Sequence, residues 1–199
     1  MGTILEYMKS KNLIIDPNFN FLKDFLSQEK ITMLKSINED NIFDEEMFCD
    51  FFLCNKYCFD KLSNKNGFVN YFELMTIIYL LKENNIKFKQ TILNLLDLYI
   101  FDNFHDEVFS SDHFYFMVET FINSLQKLFS NDFYTNESEN NEIKGKIEKE
   151  IESYYISIFK AKNNKEVKIE DMKQLLLEDP DLFNLLFFIR EKKDKLINY

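Results

Sequence analysis

Apolar residues recur every three or four positions along most of this chain, a period that predicts one helix after another. In FKQTILNLLDLYI, Phe88, Ile92, Leu95, Leu96 and Tyr99 fall on one helical face. Phe114, Met117, Val118, Phe121, Ile122, Leu125 and Phe129 repeat the spacing, and Ile147, Ile151, Tyr154, Ile158 and Phe159 do so again. Shorter helices are expected over EKITMLKSI, EEMFCDFFLCNKYCF, YFELMTIIYLLKE and IEDMKQLLL. Asp179-Pro180 should stop one helix and begin PDLFNLLFFIREKKDKL, because proline suits a first helical turn and cannot continue a previous helix. The polar stretch SNDFYTNESENNEIKG, residues 130–145, is expected to be a mobile linker.

Composition agrees with an all-α fold. Only 3 glycines and 2 prolines occur in 199 residues, too few for the turns of a sandwich or barrel and for a glycine-rich phosphate loop. With 46% hydrophobic residues the chain has the means to bury one sizeable core or two small lobes. A net charge of −10 disfavours nucleic acid, whose phosphates would repel it, and suits a basic partner helix. The opening MGTILEYMKSKNLII holds no long apolar run, so neither a secretory leader nor a membrane span is expected, and membrane association would be indirect. Glu6 stands where an N-acylation pattern asks for Ser or Thr, so lipidation of Gly2 is not expected. An odd number of cysteines, Cys49, Cys54 and Cys58, points to a reducing, cytoplasmic setting. They lack a nearby fourth zinc ligand and are read as buried helix thiols. His105, Asp106, Asp112 and His113 are read as solvated loop residues.

One stretch departs from plain helix and turn: SNKNGFVNYFEL, residues 63–74. Gly67 is placed for a sharp turn, Val69 for a short strand and Glu73 for the helix that follows. Between YCFDK and YFELMTIIYLL, it resembles the second half of a calcium-binding EF-hand loop. The end of the chain, VKIEDMKQLLLEDPDLFNLL, is similar to the outgoing helix of a last EF-hand and its successor. Over roughly residues 21–190 the chain resembles the EF-hand superfamily's four-hand proteins, nearest in layout to the calcineurin B-like and neuronal calcium sensor groups. The resemblance implies two lobes of paired EF-hand-like helix–loop–helix units. An N-terminal segment, 1–20, would precede a first lobe over 21–85 and a second over 86–199, with a polar linker 130–145 and a final helix from 180. The apolar residue at the eighth loop position, which pairs across two loops in a miniature sheet, is expected at Ile42, Val69, Val108 and Ile169.

An EF-hand loop binds its ion through oxygens at positions one, three, five, seven, nine and twelve, the last a bidentate glutamate. The second loop, Leu62–Glu73, offers Leu62, Asn64, Asn66, the Phe68 carbonyl, Asn70 and Glu73. Leucine holds no cation, and one carboxylate is a weak attraction for a dication. Calcium or magnesium affinity is expected at or beyond the ~millimolar end of the range. A longer loop starting at Asp60 restores one carboxylate, so Asp60, Asn64, Asn66, Phe68, Asn70 and Glu73 are the candidate ligands of a weak metal site. Replacing Leu62 by Asp is expected to strengthen it. The other loops are poorer: Lys35–Glu46 begins with lysine, Phe101–Asp112 with phenylalanine, and Lys162–Lys173 carries ammonium groups at both ends. No cofactor is therefore expected.

For catalysis there is no nucleophile elbow, HExxH, Walker loop or paired CxxC, and the chain is read as non-enzymatic. Sensor EF-hands take an amphipathic helix into an apolar groove. Groove candidates are Phe51, Phe52, Phe72, Leu74, Met75, Ile78, Phe114, Met117, Phe121, Phe187 and Phe188, most of them expected in the core. The expected function is that of a regulatory or adaptor subunit that binds an amphipathic helix of an intracellular partner, largely independent of calcium. The alternative is a calcium sensor with one weak or unusual site in the second hand.

Overall fold

The computed structural model describes residues 2–11, 13–17, 19, 22, 34, 42–54, 56–81, 88–99, 108–129, 137–159 and 166–197, and of Phe88, 137–144 and 194–197 the backbone alone. In chain order the elements are α1 (Gly2–Ser10), β1 (Ile42–Phe43), α2 (Glu45–Phe52), α3 (Lys56–Leu62), β2 (Val69–Asn70) and α4 (Tyr71–Leu81). There follow α5 (Phe88–Tyr99), β3 (Val108–Ser110), α6 (Ser111–Leu128), α7 (Glu137–Ile158), β4 (Glu166–Lys168), α8 (Ile169–Glu178) and α9 (Pro180–Ile197). The described residues are thus mostly helical, as the apolar period requires. The helix expected over EKITMLKSI lies outside them except for Leu34, as do residues 35–41, 101–107 and 162–165 of the loops expected at 35–46, 101–112 and 162–173.

Helix starts follow from short polar side chains. Asp44 Oδ1 accepts the Met47 N–H at 2.8 Å to open α2, and Asn70 Oδ1 accepts those of Phe72 and Glu73 at 2.8 and 3.2 Å to open α4. Ser110 opens α6 with a reciprocal pair: its hydroxyl accepts the His113 N–H at 3.2 Å, and His113 Nδ1 accepts the Ser110 N–H at 3.2 Å. Asp179 Oδ1 accepts from Asp181 and Leu182 at 2.8 and 3.1 Å, so the Asp179-Pro180 boundary stands where the sequence placed it.

Two expected boundaries are corrected. The helix foreseen over EEMFCDFFLCNKYCF is two helices, α2 and α3, broken at Leu53, whose φ of 50° is left-handed and whose following Cys54 N–H closes on the Cys49 carbonyl at 3.3 Å. A continuous helix would separate Phe48 from Phe59 by about 16 Å along its axis. The bend brings their rings to 5.9 Å, with Phe52 at 4.7 Å from Phe48, so aromatic packing is the reason for the break. The stretch 130–145, expected to be a linker, is helical from Glu137 on. It contains no proline, and Glu137 and Glu139 favour the start of a helix that Ile147 and Ile151 anchor further along.

The strands form two antiparallel pairs, β1 with β2 and β3 with β4. Their register departs from expectation. Phe43 faces Val69, and Phe109 faces Val167, while Ile42 is opposite Asn70 and Val108 opposite Lys168. Ile169 is not in a strand and begins α8. The inward residues are thus Phe43, Val69, Phe109 and Val167, all nearly inaccessible, whereas Ile42 is 42% exposed. A strand residue and its neighbour point to opposite faces, so the larger burial decides the register.

At the centre lies α4, of whose eleven residues every one is buried. A helix apolar on all sides needs neighbours on all sides, and α5, α6 and α9 pack around it. The larger apolar cluster joins Leu13, Phe48, Phe59 and Met75 to Phe121, Leu125 and Leu185, drawing on residues before and after position 85. A smaller cluster gathers Leu96, Phe109, Phe114, Ile158, Val167 and Met172, and Met117, Ile151 and Leu176 touch both.

Candidate functional site

The second loop keeps its turn and spends its oxygens on itself. Gly67 has a φ of +77°, and its N–H reaches the Asn64 carbonyl at 3.0 Å. Asn64 Oδ1 accepts from the Asn66 and Phe68 N–H groups at 2.9 and 3.2 Å. The Phe68 carbonyl accepts the Asn64 N–H at 2.8 Å, and Asn70 is the cap of α4. Asp60 is exposed on α3, its carboxylate 3.7 Å from the Lys56 ammonium. Leu62 is a core residue, 1% exposed. An aspartate at position 62 would therefore carry its charge into the apolar core, which withdraws the expectation that it would strengthen a metal site.

Glu73, the only expected carboxylate of the short loop, is committed elsewhere. Its Oε1 accepts from Asn123 Nδ2 at 3.1 Å and its Oε2 lies 2.6 Å from Lys127 Nζ. The same ammonium also donates to the carbonyl of Leu62, where the loop begins. Ser124 adds a hydroxyl 3.2 Å from the Glu73 carbonyl. Asn123 and Lys127 are four apart on α6 and so share a face, which packs on α4. The pair is largely enclosed, with side chains 17% and 12% exposed for Lys127 and Glu73. A protein ammonium thus ties the first residue of the loop to the last. Sequence reasoning missed Asn123 and Lys127; their spacing is visible in the chain, but nothing local says that α6 lies against α4.

The groove candidates divide by burial. Phe52, Phe72, Leu74, Met75, Ile78, Phe114, Phe121 and Phe188 are buried, Phe51 and Met117 are half-buried against the core, and Phe187 is 53% exposed. Three of them, Phe114, Met117 and Phe121, border space that the protein leaves unfilled. A cavity of about 100 Å³ lies between α6, α7 and α8, lined by Phe114, Met117, Ile151, Tyr154 and Leu176 together with Ile4 and Leu182. A second, of about 40 Å³, adjoins it between α5 and α6 and shares Met117, Val118, Leu176 and Leu182. Both are apolar. The polar rim of the larger one is Glu150, Ser157 and Asp179, where the Tyr154 hydroxyl donates to Asp179. Burial, reinforced by that contact, raises the ionisation of Tyr154 well above the ordinary range. Leu175 lies in the same wall and is 43% exposed, which marks the open side.

The three thiols behave as packing groups. Cys58 is buried, Cys49 and Cys54 are half-buried, and none is in a disulfide. Burial first, and then the neighbouring Cys58 and Cys49, push the Cys54 thiol up to about 12. Among the described residues no group of three or more His, Cys, Asp and Glu side chains is gathered to hold a metal ion. His113 is engaged in the cap of α6, and His105 and Asp106 lie outside the described residues. Among them, too, no helix is long and apolar enough to cross a membrane. No protein-family model, no curated protein and no solved structure matches this chain.

Proposed function

We propose that this chain is a non-catalytic adaptor of the EF-hand kind, which grips an amphipathic helix of a partner protein without a calcium signal. The observation that carries the reading is the adjoining pair of apolar cavities that share Met117, Val118, Leu176 and Leu182. Unfilled apolar volume beside an exposed leucine suits one or two apolar side chains presented by a helix, with the carboxylates at the rim suiting a basic neighbour. Pairing of β1 with β2 and of β3 with β4 supports hands coupled two by two. Counted from the inward strand residues, the twelfth loop positions are Met47, Glu73, His113 and Asp171, only two of them carboxylates. Independence from calcium is supported by the second loop itself, whose glutamate already neutralises Lys127.

Calorimetric titration with calcium and magnesium is expected to give no stoichiometric end point below about 1 mM. A clear end point in that range would instead favour a sensor with one unusual site. In the presence of a chelator, a Met117→Asp variant that retains its helical circular dichroism is expected to lose a helical partner segment that the wild type holds. Equal retention by both proteins would place the binding surface elsewhere.

A further inference from the structure

Helix α1 lies on the wall of the same groove. Its main contacts are with α7 and α9, and Ile4 lines the larger cavity. Ile4, Leu5, Tyr7 and Met8 are buried in a helix of 9 residues, too short to persist alone in water, where ~12–15 are needed. Its structure therefore depends on the surface beneath it. One acidic side chain holds its leading end and a second stands close by: the Thr3 N–H donates to Glu150 Oε2 at 3.3 Å, and a Cβ at Gly2 would stand 2.9 Å from Asp181 Oδ2. Carboxylates at a helix N-terminus meet the positive end of its dipole. A separate anchor follows, where the Asp16 N–H reaches the Leu128 carbonyl at 3.1 Å and Ile15 bridges Phe129.

We propose that α1, which lines the larger cavity through Ile4, is the chain's own strap on the helix-binding groove, autoinhibitory until a partner helix displaces it. This rests on the helix-binding reading of that groove. The anchor at Ile15 and Asp16 keeps a released α1 tethered, so it competes at the high effective concentration of a short tether. A successful competitor needs apolar residues at the spacing of Ile4, Leu5 and Met8, together with a helix N-terminus or a basic group facing Glu150 and Asp181.

The test uses the full chain and, as probe, a fluorescein-labelled peptide of residues 2–11, followed by anisotropy. The double variant Leu5→Asp/Met8→Asp, whose own α1 cannot dock, is expected to bind the peptide at least about tenfold more tightly than the wild type. Equal affinities, or no binding by a double variant whose circular dichroism differs only by the loss of α1, overturn the proposal. If the double variant loses more structure than that, Thr3→Pro decides. Proline in the first turn removes the N–H bound to Glu150 while tolerating the helix. It is expected to raise peptide affinity severalfold, and an unchanged affinity overturns the proposal. A peptide that ignores every variant removes α1 as the occupant, whereas equal retention of a partner helix by Met117→Asp removes the helix-binding reading itself.

Discussion

Leu62 and Glu73 stand at the two ends of the loop that most resembles a calcium site, and each is used for packing the protein instead. Leu62 fills the core with its side chain and offers its carbonyl to Lys127, while Glu73 meets the same ammonium with its carboxylate. Taking one partner from an enclosed ion pair leaves the other charge without compensation. Glu73→Gln is therefore expected to destabilise the fold by about 2–4 kcal/mol, somewhat less than for a fully buried pair. Combining it with Lys127→Met should recover part of that loss, because the stranded ammonium is gone. Urea unfolding of the wild type, both single variants and the double variant measures the coupling. Additive losses would mean that the pair contributes nothing as a pair. A second buried polar contact shows how one hydroxyl fixes another. Thr76 gives its proton to the Phe72 carbonyl at 2.7 Å, so the Tyr99 hydroxyl that touches it must be the donor.

Among the elements, α2 and α3 show most clearly what a helical period leaves open. The sequence from Glu45 to Phe59 reads as one helix, yet Leu53 turns left-handed so that α3 folds back and Phe48, Phe52 and Phe59 pack together. A leucine in that conformation carries a steric cost of roughly 1 kcal/mol that glycine does not. Leu53 is 90% exposed, so its side chain contributes little in return. Leu53→Gly is accordingly expected to stabilise the protein by about 0.5–1 kcal/mol, seen as a higher urea midpoint with an unchanged slope. A loss of stability would show that Leu53 is held left-handed by contacts rather than by the backbone closure onto Cys49. The strand pairs carry a related lesson. Each inward residue is followed by the residue that flanks the next helix, as in Phe43-Asp44, Val69-Asn70 and Phe109-Ser110, and in the first three a side-chain cap is made. That grammar of apolar residue and cap was present in the sequence and gives the correct register, which hydrophobicity alone assigned to Ile42 and Val108.

For the whole molecule, burial of weak acids sets the alkaline limit of stability. Tyr71, Tyr79, Tyr99 and Tyr154 ionise above the ordinary value of 10.0 because burial disfavours their charged forms, and Cys54 is pushed from 9.0 to about 12 for the same first reason. Each group is neutral when protonated, and the folded chain holds the proton more tightly than the unfolded chain. Their contribution is thus complete below the ordinary values and is lost as pH rises above them. The thermal midpoint is expected to be insensitive to these groups up to about pH 9 and to fall steadily beyond it. A midpoint that stays level to about pH 11 would mean that these side chains are not buried in solution.

Helix content, the Asp179-Pro180 boundary and the turn at Gly67 were legible in the chain because each depends on neighbours within a few residues: the apolar period, a proline's missing N–H, a glycine's freedom at positive φ. The apolar cavities were legible only as a surplus of aromatic residues. Which of them would fill the core, and that Phe114, Met117 and Phe121 would border open volume, followed from how α5, α6, α7 and α8 come together. Lys127 beside Glu73 and α1 across α7 and α9 are meetings of residues 54 and more than 100 positions apart. Contacts over such distances arise from packing the apolar faces of whole helices, and no local pattern encodes their partners. The sequence by itself determined a helical protein and a loop that turns at Gly67 and leads into the helix carrying Glu73. The tertiary structure decided that this loop closes on an ammonium from another helix, because that is where burying α4 brings α6.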